Sequence, residues 1–216
     1  MNKFHWAIII ISIIVILSCA FVKTIREGLT PNNNIILIGD SVLNNSAFVP
    51  AGKSVFDYLK QKTNNVFNFA KDGATILDCY DQLDKIPQDF NNTNTYLFIS
   101  VGGNDILNLR VQLSSSEIDG LFRKYLDFIN ALKAKLGSVN INICNLYKPV
   151  DPRYQIYQST IDQWNQLIQK SSNRVGAMYN VVDIYSLLKN PNDFIYGIEP
   201  SAESSVKIAN IIFITT

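Results

Sequence analysis

Short runs of apolar, β-branched and aromatic residues alternate along the chain with segments whose apolar positions recur every three or four residues. The runs predict strands at 35–38, 66–70, 95–101, 139–147 and 178–185, each bounded by Gly, Asn, Asp or Pro. The helical spacing is clearest between residues 118 and 136, where Ser116 is the predicted N-cap and Gly137 the predicted stop. Similar spacing predicts helices around residues 55–59, 76–83, 161–168 and 206–213.

The alternation of strands and helices predicts βαβ units with right-handed crossovers. The sheet should therefore be parallel and covered by helices on both faces, which fits the continuous apolar character of the strands. With five strands, we expect an α/β fold with the flavodoxin-like strand order 2-1-3-4-5. Ligands of such folds bind outside the carboxyl ends of the strands, so the loops at those ends are the ones to search for chemistry.

Residues 4–22 form an uncharged apolar run of the length that a membrane-spanning helix needs. We expect residues 1–23 to be an uncleaved single-pass membrane anchor, because Phe21 and Val22 continue the run past the small residues Ser18 and Ala20. A cleaved signal peptide is the alternative and would make the protein secreted. The flanking charges do not assign a side of the membrane. Residues 24–34 are predicted to be a linker, and residues 35–216 the folded domain.

Composition narrows the possible functions. Hydrophobic residues make up 47% of the 216 residues and charged residues 17%, which is too apolar for a disordered chain. The net charge is +1, with 19 basic and 18 acidic residues spread along the chain, so we expect no nucleic-acid partner. The only histidine is His5, in the N-terminal run, and the three cysteines (Cys19, Cys79 and Cys144) are far apart. We therefore expect no metal and no cofactor, and we expect the cysteines to be apolar filler.

Three successive predicted strands end in residues that suit acyl-transfer chemistry. The first runs into Gly39-Asp40-Ser41, the second into a loop with Gly73, and the third into Gly102-Gly103-Asn104-Asp105. Each of these taken alone is explained as a turn or a helix cap. Together they bring a hydroxyl, a flexible backbone and an amide donor to one edge of the sheet.

The segments IGDS, NFAKDGAT and GGND, with YGIEPS in the place of a fourth block, resemble the SGNH, or GDSL-type, hydrolase superfamily over about residues 35–213. The resemblance implies a three-layer α/β/α sandwich that cleaves acyl esters of lipids, glycans or small molecules. It also implies that Ser41 is the nucleophile and that the oxyanion hole consists of the Ser41 N–H, the Gly73 N–H and the Asn104 side chain. Such preorganised donors are each worth about 3 kcal/mol in acyl transfer.

The fourth block departs from the family pattern, because Glu199 stands where the family has its catalytic histidine and Tyr196 where it has an aspartate. In one hypothesis Glu199 is the base, with its pKa raised by apolar neighbours and its carboxylate held by the Tyr196 hydroxyl. In the other, the domain has lost its chemistry and binds a glycan or an acylated ligand without cleaving it. A purely structural interpretation places Glu199 and Pro200 at a helix N-terminus. Asp193, six residues upstream of Glu199, is a candidate second carboxylate, but we expect it to be a solvated turn residue.

Overall fold

The computed structural model describes residues 33–173 and 179–216. The predicted anchor or signal segment and nearly all of the predicted linker lie outside these residues. In the two described ranges, no helix has both the length and the apolar character needed to cross a membrane. The domain itself begins slightly earlier than predicted, because Asn34 already pairs with Thr95 and the Asn33 side chain donates a 2.8 Å hydrogen bond to the Thr216 carbonyl.

A five-stranded parallel sheet forms the centre of the domain, with the predicted order β2-β1-β3-β4-β5. Its strands are β1 (Asn34–Gly39), β2 (Val66–Asn68), β3 (Thr95–Ser100), β4 (Asn140–Cys144) and β5 (Asn180–Val182). Alternate residues of β1 enter different cores, Ile36 and Ile38 on one face of the sheet and Ile35 and Leu37 on the other. The sheet is thus buried on both faces, as its continuous apolar strands indicate.

Helices cover both faces of the sheet. They are α1 (Val55–Lys60), α2 (Asp78–Asp84), α3 (Gly103–Asn108), α4 (Ser115–Lys135), α5 (Gln158–Ser172), α6 (Ile184–Leu187) and α7 (Ala202–Thr215). The larger core holds apolar side chains of α2 to α5, and the smaller core holds those of α1, α6 and α7. A separate antiparallel pair, β6 (Phe194–Ile195) and β7 (Glu199–Pro200), precedes α7. The predicted α/β class is therefore confirmed.

Two predicted helix starts are wrong. The N-cap of α4 is Ser114 rather than Ser116, because the Ser114 hydroxyl accepts from the Glu117 N–H while the Glu117 carboxylate accepts from the Ser114 N–H. Pro200 belongs to β7, and α7 begins only at Ala202 with Ser201 as its N-cap. Glu199 therefore lies on a strand and does not cap the helix.

Candidate active site

The turn that carries Ser41 is fixed by its neighbours. Gly39 has φ 123°, and a Cβ at this position would overlap the carbonyl group of Ser100, so only glycine allows this exit from β1. The buried Gln82 side chain binds both the N–H and the carbonyl group of Gly39. Its Oε1 accepts from the Gly39 N–H at 2.7 Å, and its Nε2 donates to the Gly39 carbonyl at 3.0 Å. Ser41 thus follows a backbone segment with little freedom to move.

A pocket at the carboxyl ends of the strands gathers most of the predicted site. It encloses about 510 Å³, counting the part open to solvent, and its polar wall includes Asp40, Ser41, Asn104 and Glu199. The rest of the wall is mainly apolar: Val42, Ile106, Leu107, Leu146, Tyr147, Pro149, Ile161 and Ile198. Three of the four predicted site residues therefore line one pocket, although they come from distant parts of the chain.

Gly73, the fourth predicted site residue, does not line this pocket. It lies in an exposed loop with φ 72°. The loop is nevertheless tied to the site, because the Asn104 Nδ2 donates a 3.0 Å hydrogen bond to the Ala74 carbonyl. Asn104 thus anchors the Gly73 loop with one N–H of its amide, which leaves the other N–H for a ligand.

Glu199 and Ser41 lie in the wall of the same pocket, near enough for the Ser41 hydroxyl to affect the pKa of the Glu199 carboxyl. Burial raises the pKa of the Glu199 carboxyl, the nearby Ser41 hydroxyl lowers it, and the negative charge of Asp72 raises it, with a net rise. The Oε2 atom of Glu199 is buried and has no hydrogen-bond partner among the described residues. A partly desolvated carboxylate with an unused oxygen therefore lies beside a serine hydroxyl.

The backbone on both sides of Glu199 is held by hydrogen bonds from side chains distant in sequence. The Tyr147 hydroxyl donates to the Ile198 carbonyl at 2.6 Å, and the Asn45 Nδ2 donates to the Pro200 carbonyl at 3.1 Å. Glu199 also pairs with Ile195 in the short β6–β7 ladder. These contacts fix the position of Glu199 relative to Ser41.

Asp40 is a second carboxyl group in the pocket, although its place between Gly39 and Ser41 in the sequence predicts only a turn residue. It is only 3% exposed, and its Oδ1 accepts from the Val42 N–H at 3.1 Å and from the Ser100 hydroxyl at 3.0 Å. Burial raises the pKa of Asp40 to about 7 despite these hydrogen bonds, and the charge of Glu199 acts in the same direction.

Two predictions about the fourth block are wrong. Tyr196 is 74% exposed, with φ 55°, and no hydrogen bond joins it to Glu199 in the described parts of the chain. Asp193 is not a solvated turn residue, because it is 2% exposed and its Oδ1 lies 2.5 Å from the Lys207 Nζ. Its Oδ2 accepts from the N–H groups of Lys189 and Asn190, so its role is to join the segment before β6 to α7.

Neither Cys79 nor Cys144 offers a reactive thiol. Both are buried, and burial raises the pKa of each thiol. Within residues 33–173 and 179–216, no group of three or more His, Cys, Asp or Glu side chains is arranged to hold a metal ion. The chemistry available to the pocket therefore rests on Ser41, the two carboxyl groups and the Asn104 amide.

The sequence of the chain was compared with models of known protein families. Residues 35–210 match the family model of the GDSL-like lipases and acylhydrolases. The chain belongs to this family. Ser41 and Asn104 lie in the blocks that carried the resemblance in the sequence, and the pocket they share lies at the carboxyl edge of the sheet. The search of curated proteins found no match.

Solved structures support the same fold. A lipolytic protein of the G-D-S-L family from Veillonella parvula has a TM-score of 0.65 at 16% identity, over 82% of this chain and 94% of that one. A GDSL-like lipase from Bacteroides thetaiotaomicron has a TM-score of 0.64 at 14% identity, over 89% and 94%. An acetyl xylan esterase has a TM-score of 0.63 at 14% identity, over 85% and 99%. At these identities the likeness is one of fold.

Proposed function

We propose that the domain is an ester hydrolase with Ser41 as its nucleophile and Glu199 as its base, tethered to a membrane by residues 1–23. The observation that carries the proposal is that Ser41 and Glu199 line one pocket together with Asn104, with the Ser41 hydroxyl near the Glu199 carboxyl. The substrate is an acyl ester of a small molecule, a lipid or a glycan.

The acylation step needs a proton acceptor, because a free serine hydroxyl is a weak nucleophile. The Ser41 Oγ attacks the ester carbonyl carbon while its proton passes to Glu199. Negative charge develops on the carbonyl oxygen, where the Ser41 N–H and the free N–H of Asn104 stabilise it, both from residues that line the pocket. The tetrahedral intermediate then expels the alcohol, which takes the proton from Glu199, and the acyl group stays on Ser41.

Deacylation repeats these steps with water. The water gives its proton to Glu199 and its oxygen to the acyl carbon, after which the carboxylic acid leaves and Ser41 regains its proton. The otherwise unpartnered Oε2 of Glu199 is a suitable acceptor for that water. One water is consumed for each ester cleaved.

A carboxylate is a weaker base than a histidine. The ordinary pKa of glutamate lies about two units below that of histidine, which corresponds to roughly 3 kcal/mol of basicity. Burial of Glu199 and the charge of Asp72 reduce this difference, because both raise its pKa. We therefore expect a slow hydrolase whose activity extends to lower pH than that of a histidine-dependent relative.

The proposal is tested with 4-nitrophenyl acetate and with a fluorophosphonate probe that labels activated serines. Wild type should hydrolyse the ester and take up the probe at Ser41, and Ser41→Ala should do neither. Ser46→Ala is the matched control, because Ser46 is an exposed serine five residues further along the same loop. If neither hydrolysis nor labelling occurs in wild type between pH 4 and pH 8, the proposal is wrong.

A further inference from the structure

Asp40 presents one of its two carboxyl oxygens to the active-site pocket. Its Oδ1 is already occupied, because it accepts hydrogen bonds from the Val42 N–H and the Ser100 hydroxyl. No other residue among those described forms a hydrogen bond with its Oδ2, and this atom is not sealed from solvent in the way that the Oε2 of Glu199 is. Since Asp40 lines the pocket, Oδ2 is the oxygen that a bound substrate can reach.

The free oxygen of Asp40 lies close to the backbone that leads into Asn104. A Cβ placed on Gly103 would come within 3.9 Å of the Asp40 Oδ2, and both Gly103 and Asn104 line the pocket. Asp40 is also the residue directly before Ser41. Its carboxyl group is therefore next to both residues that supply oxyanion donors.

The pocket has room for a further donor. Of the three donors that the family resemblance implies, those of Ser41 and Asn104 line the pocket, whereas Gly73 lies outside its wall. A neutral carboxylic acid carries one O–H and can donate it to an oxygen that becomes negative. An ionised Asp40 would instead place a negative charge beside that oxygen. The protonation state of Asp40 thus decides whether it stabilises or destabilises the tetrahedral intermediate.

The surroundings of Asp40 favour its neutral form. Burial is the largest cause and the negative charge of Glu199 adds to it, so the pKa of Asp40 is raised to about 7 despite the two hydrogen bonds to Oδ1. No cation among the described residues shifts this pKa. The other titratable groups that interact with the Asp40 charge are themselves neutral, because burial raises the pKa of each: Cys79 of α2, Cys144 of β4 and Tyr147 of the loop after β4.

We propose that Asp40 is a further catalytic residue, which donates a hydrogen bond from its protonated Oδ2 to the carbonyl oxygen of the ester as that oxygen becomes negative. The proton stays on Asp40 throughout, so no bond forms or breaks at this residue. Ser41 and Glu199 carry out the proton transfers. This inference rests on the proposed ester hydrolysis and adds a donor to its oxyanion hole.

The two carboxyl groups then set opposite limits on the active pH range. Glu199 must be ionised to accept the Ser41 proton, whereas Asp40 must keep its own proton, which it loses as the pH rises through about 7. The kcat/KM of wild type for 4-nitrophenyl acetate, with uncatalysed hydrolysis subtracted, should therefore fall at least about tenfold between pH 6 and pH 9.

Two variants separate the hydrogen bond from the charge. In Asp40→Asn the side-chain N–H can donate at every pH, so kcat/KM should stay within about fivefold of wild type at pH 6 and should not fall up to pH 9. Asp40→Ala has neither the charge nor the donor, and it should be about a hundredfold less active than wild type at pH 6. Equal activity of the two variants at pH 6 would overturn the hydrogen bond.

Asp72→Asn is the matched control. Asp72 is an exposed carboxylate whose charge raises the pKa of Glu199, so its removal should move the acidic limb of the pH profile to lower pH and leave the alkaline limb in place. An active wild type without an alkaline limb, or a limb that persists in Asp40→Asn, would overturn the role of Asp40 and leave the hydrolase intact. An inactive wild type would overturn both proposals.

The proton on Asp40 can also be observed without catalysis. NMR of the protein labelled with ¹³C at its aspartate carboxyl groups should show one signal that titrates near pH 7 and is missing from the spectrum of Asp40→Asn. A midpoint below about 5 for this signal would contradict the proposal, whether or not the wild type hydrolyses esters.

Discussion

The Tyr147 hydroxyl donates a 2.6 Å hydrogen bond to the carbonyl of Ile198, the residue before Glu199. Tyr147 follows β4 and Ile198 precedes β7, so this bond joins two loops that meet only in the folded domain. Tyr147 also lines the active-site pocket. It therefore positions the carboxylate without taking a proton itself.

Tyr147→Phe should lower kcat about tenfold and leave KM within about twofold. The Ile198 carbonyl loses its partner, and Glu199 is then held less firmly beside the Ser41 hydroxyl. Steady-state kinetics with 4-nitrophenyl acetate measures both constants. Tyr154→Phe is the control, because the Tyr154 hydroxyl has no hydrogen bond among the described residues, and it should behave as wild type. An equal loss in both variants would argue against a positioning role.

Asp193→Asn should destabilise the domain at neutral pH. Burial alone would raise the pKa of Asp193, but the Lys207 ammonium and the N–H groups of Asn190 and Lys189 lower it below its ordinary value. A carboxyl group whose pKa is lower in the folded state stabilises the fold above its unfolded pKa, and this contribution is lost as the pH falls through the folded pKa.

Chemical denaturation of wild type and Asp193→Asn should therefore show a difference at pH 7 that shrinks as the pH falls below about 4. The exposed Asp119 provides the control variant Asp119→Asn, which should match wild type at both pH values. A difference for Asp193→Asn that is independent of pH would show that the ion pair with Lys207 contributes nothing.

Asp40 should make the domain less stable as the pH rises, which is the opposite of the effect expected for Asp193. Its pKa is raised to about 7 in the folded domain, from an ordinary value of 3.8. Between these two values the folded state holds a proton that the unfolded state has released, so the free energy of unfolding of wild type should fall as the pH rises from about 4 to 7.

Asp40→Asn removes this titration while its side-chain oxygen can still accept from the Val42 N–H and the Ser100 hydroxyl. The variant should gain stability relative to wild type as the pH rises through this range. Urea denaturation at pH 4.5, 6 and 8 measures the trend. A constant difference between the two proteins across the three pH values would contradict a proton held by Asp40.

The fold was predictable because parallel strands leave a simple pattern. Continuous apolar runs such as that of β1 predict burial on both faces, and the carboxyl ends of such strands meet at one edge, which is why Ser41 and Asn104 could be placed together. The residue at which a strand ends was harder to predict from an apolar run. The run 178–185 contains both β5 and the start of α6, because apolar residues on a strand and on a short helix look alike over a few positions.

The partners of Glu199 could not be predicted from spacing. Tyr196 lies three residues away in sequence, but its side chain is exposed to solvent. The residue that holds this segment is Tyr147, 51 positions before Ile198. Asp193 and Lys207 are likewise joined only by the return of the chain into α7. Contacts of this kind depend on how loops pack after the sheet has formed.

The central claim is that Glu199 acts as the base, and the pH dependence of kcat/KM for a small ester tests it most directly. Since the protonated carboxyl cannot accept the Ser41 proton, wild-type activity should fall on the acidic side through a carboxyl pKa above the ordinary glutamate value. In Glu199→Gln, activity should drop by at least about a hundredfold and this acidic limb should disappear. An active Glu199→Gln variant with an unchanged acidic limb would contradict the account.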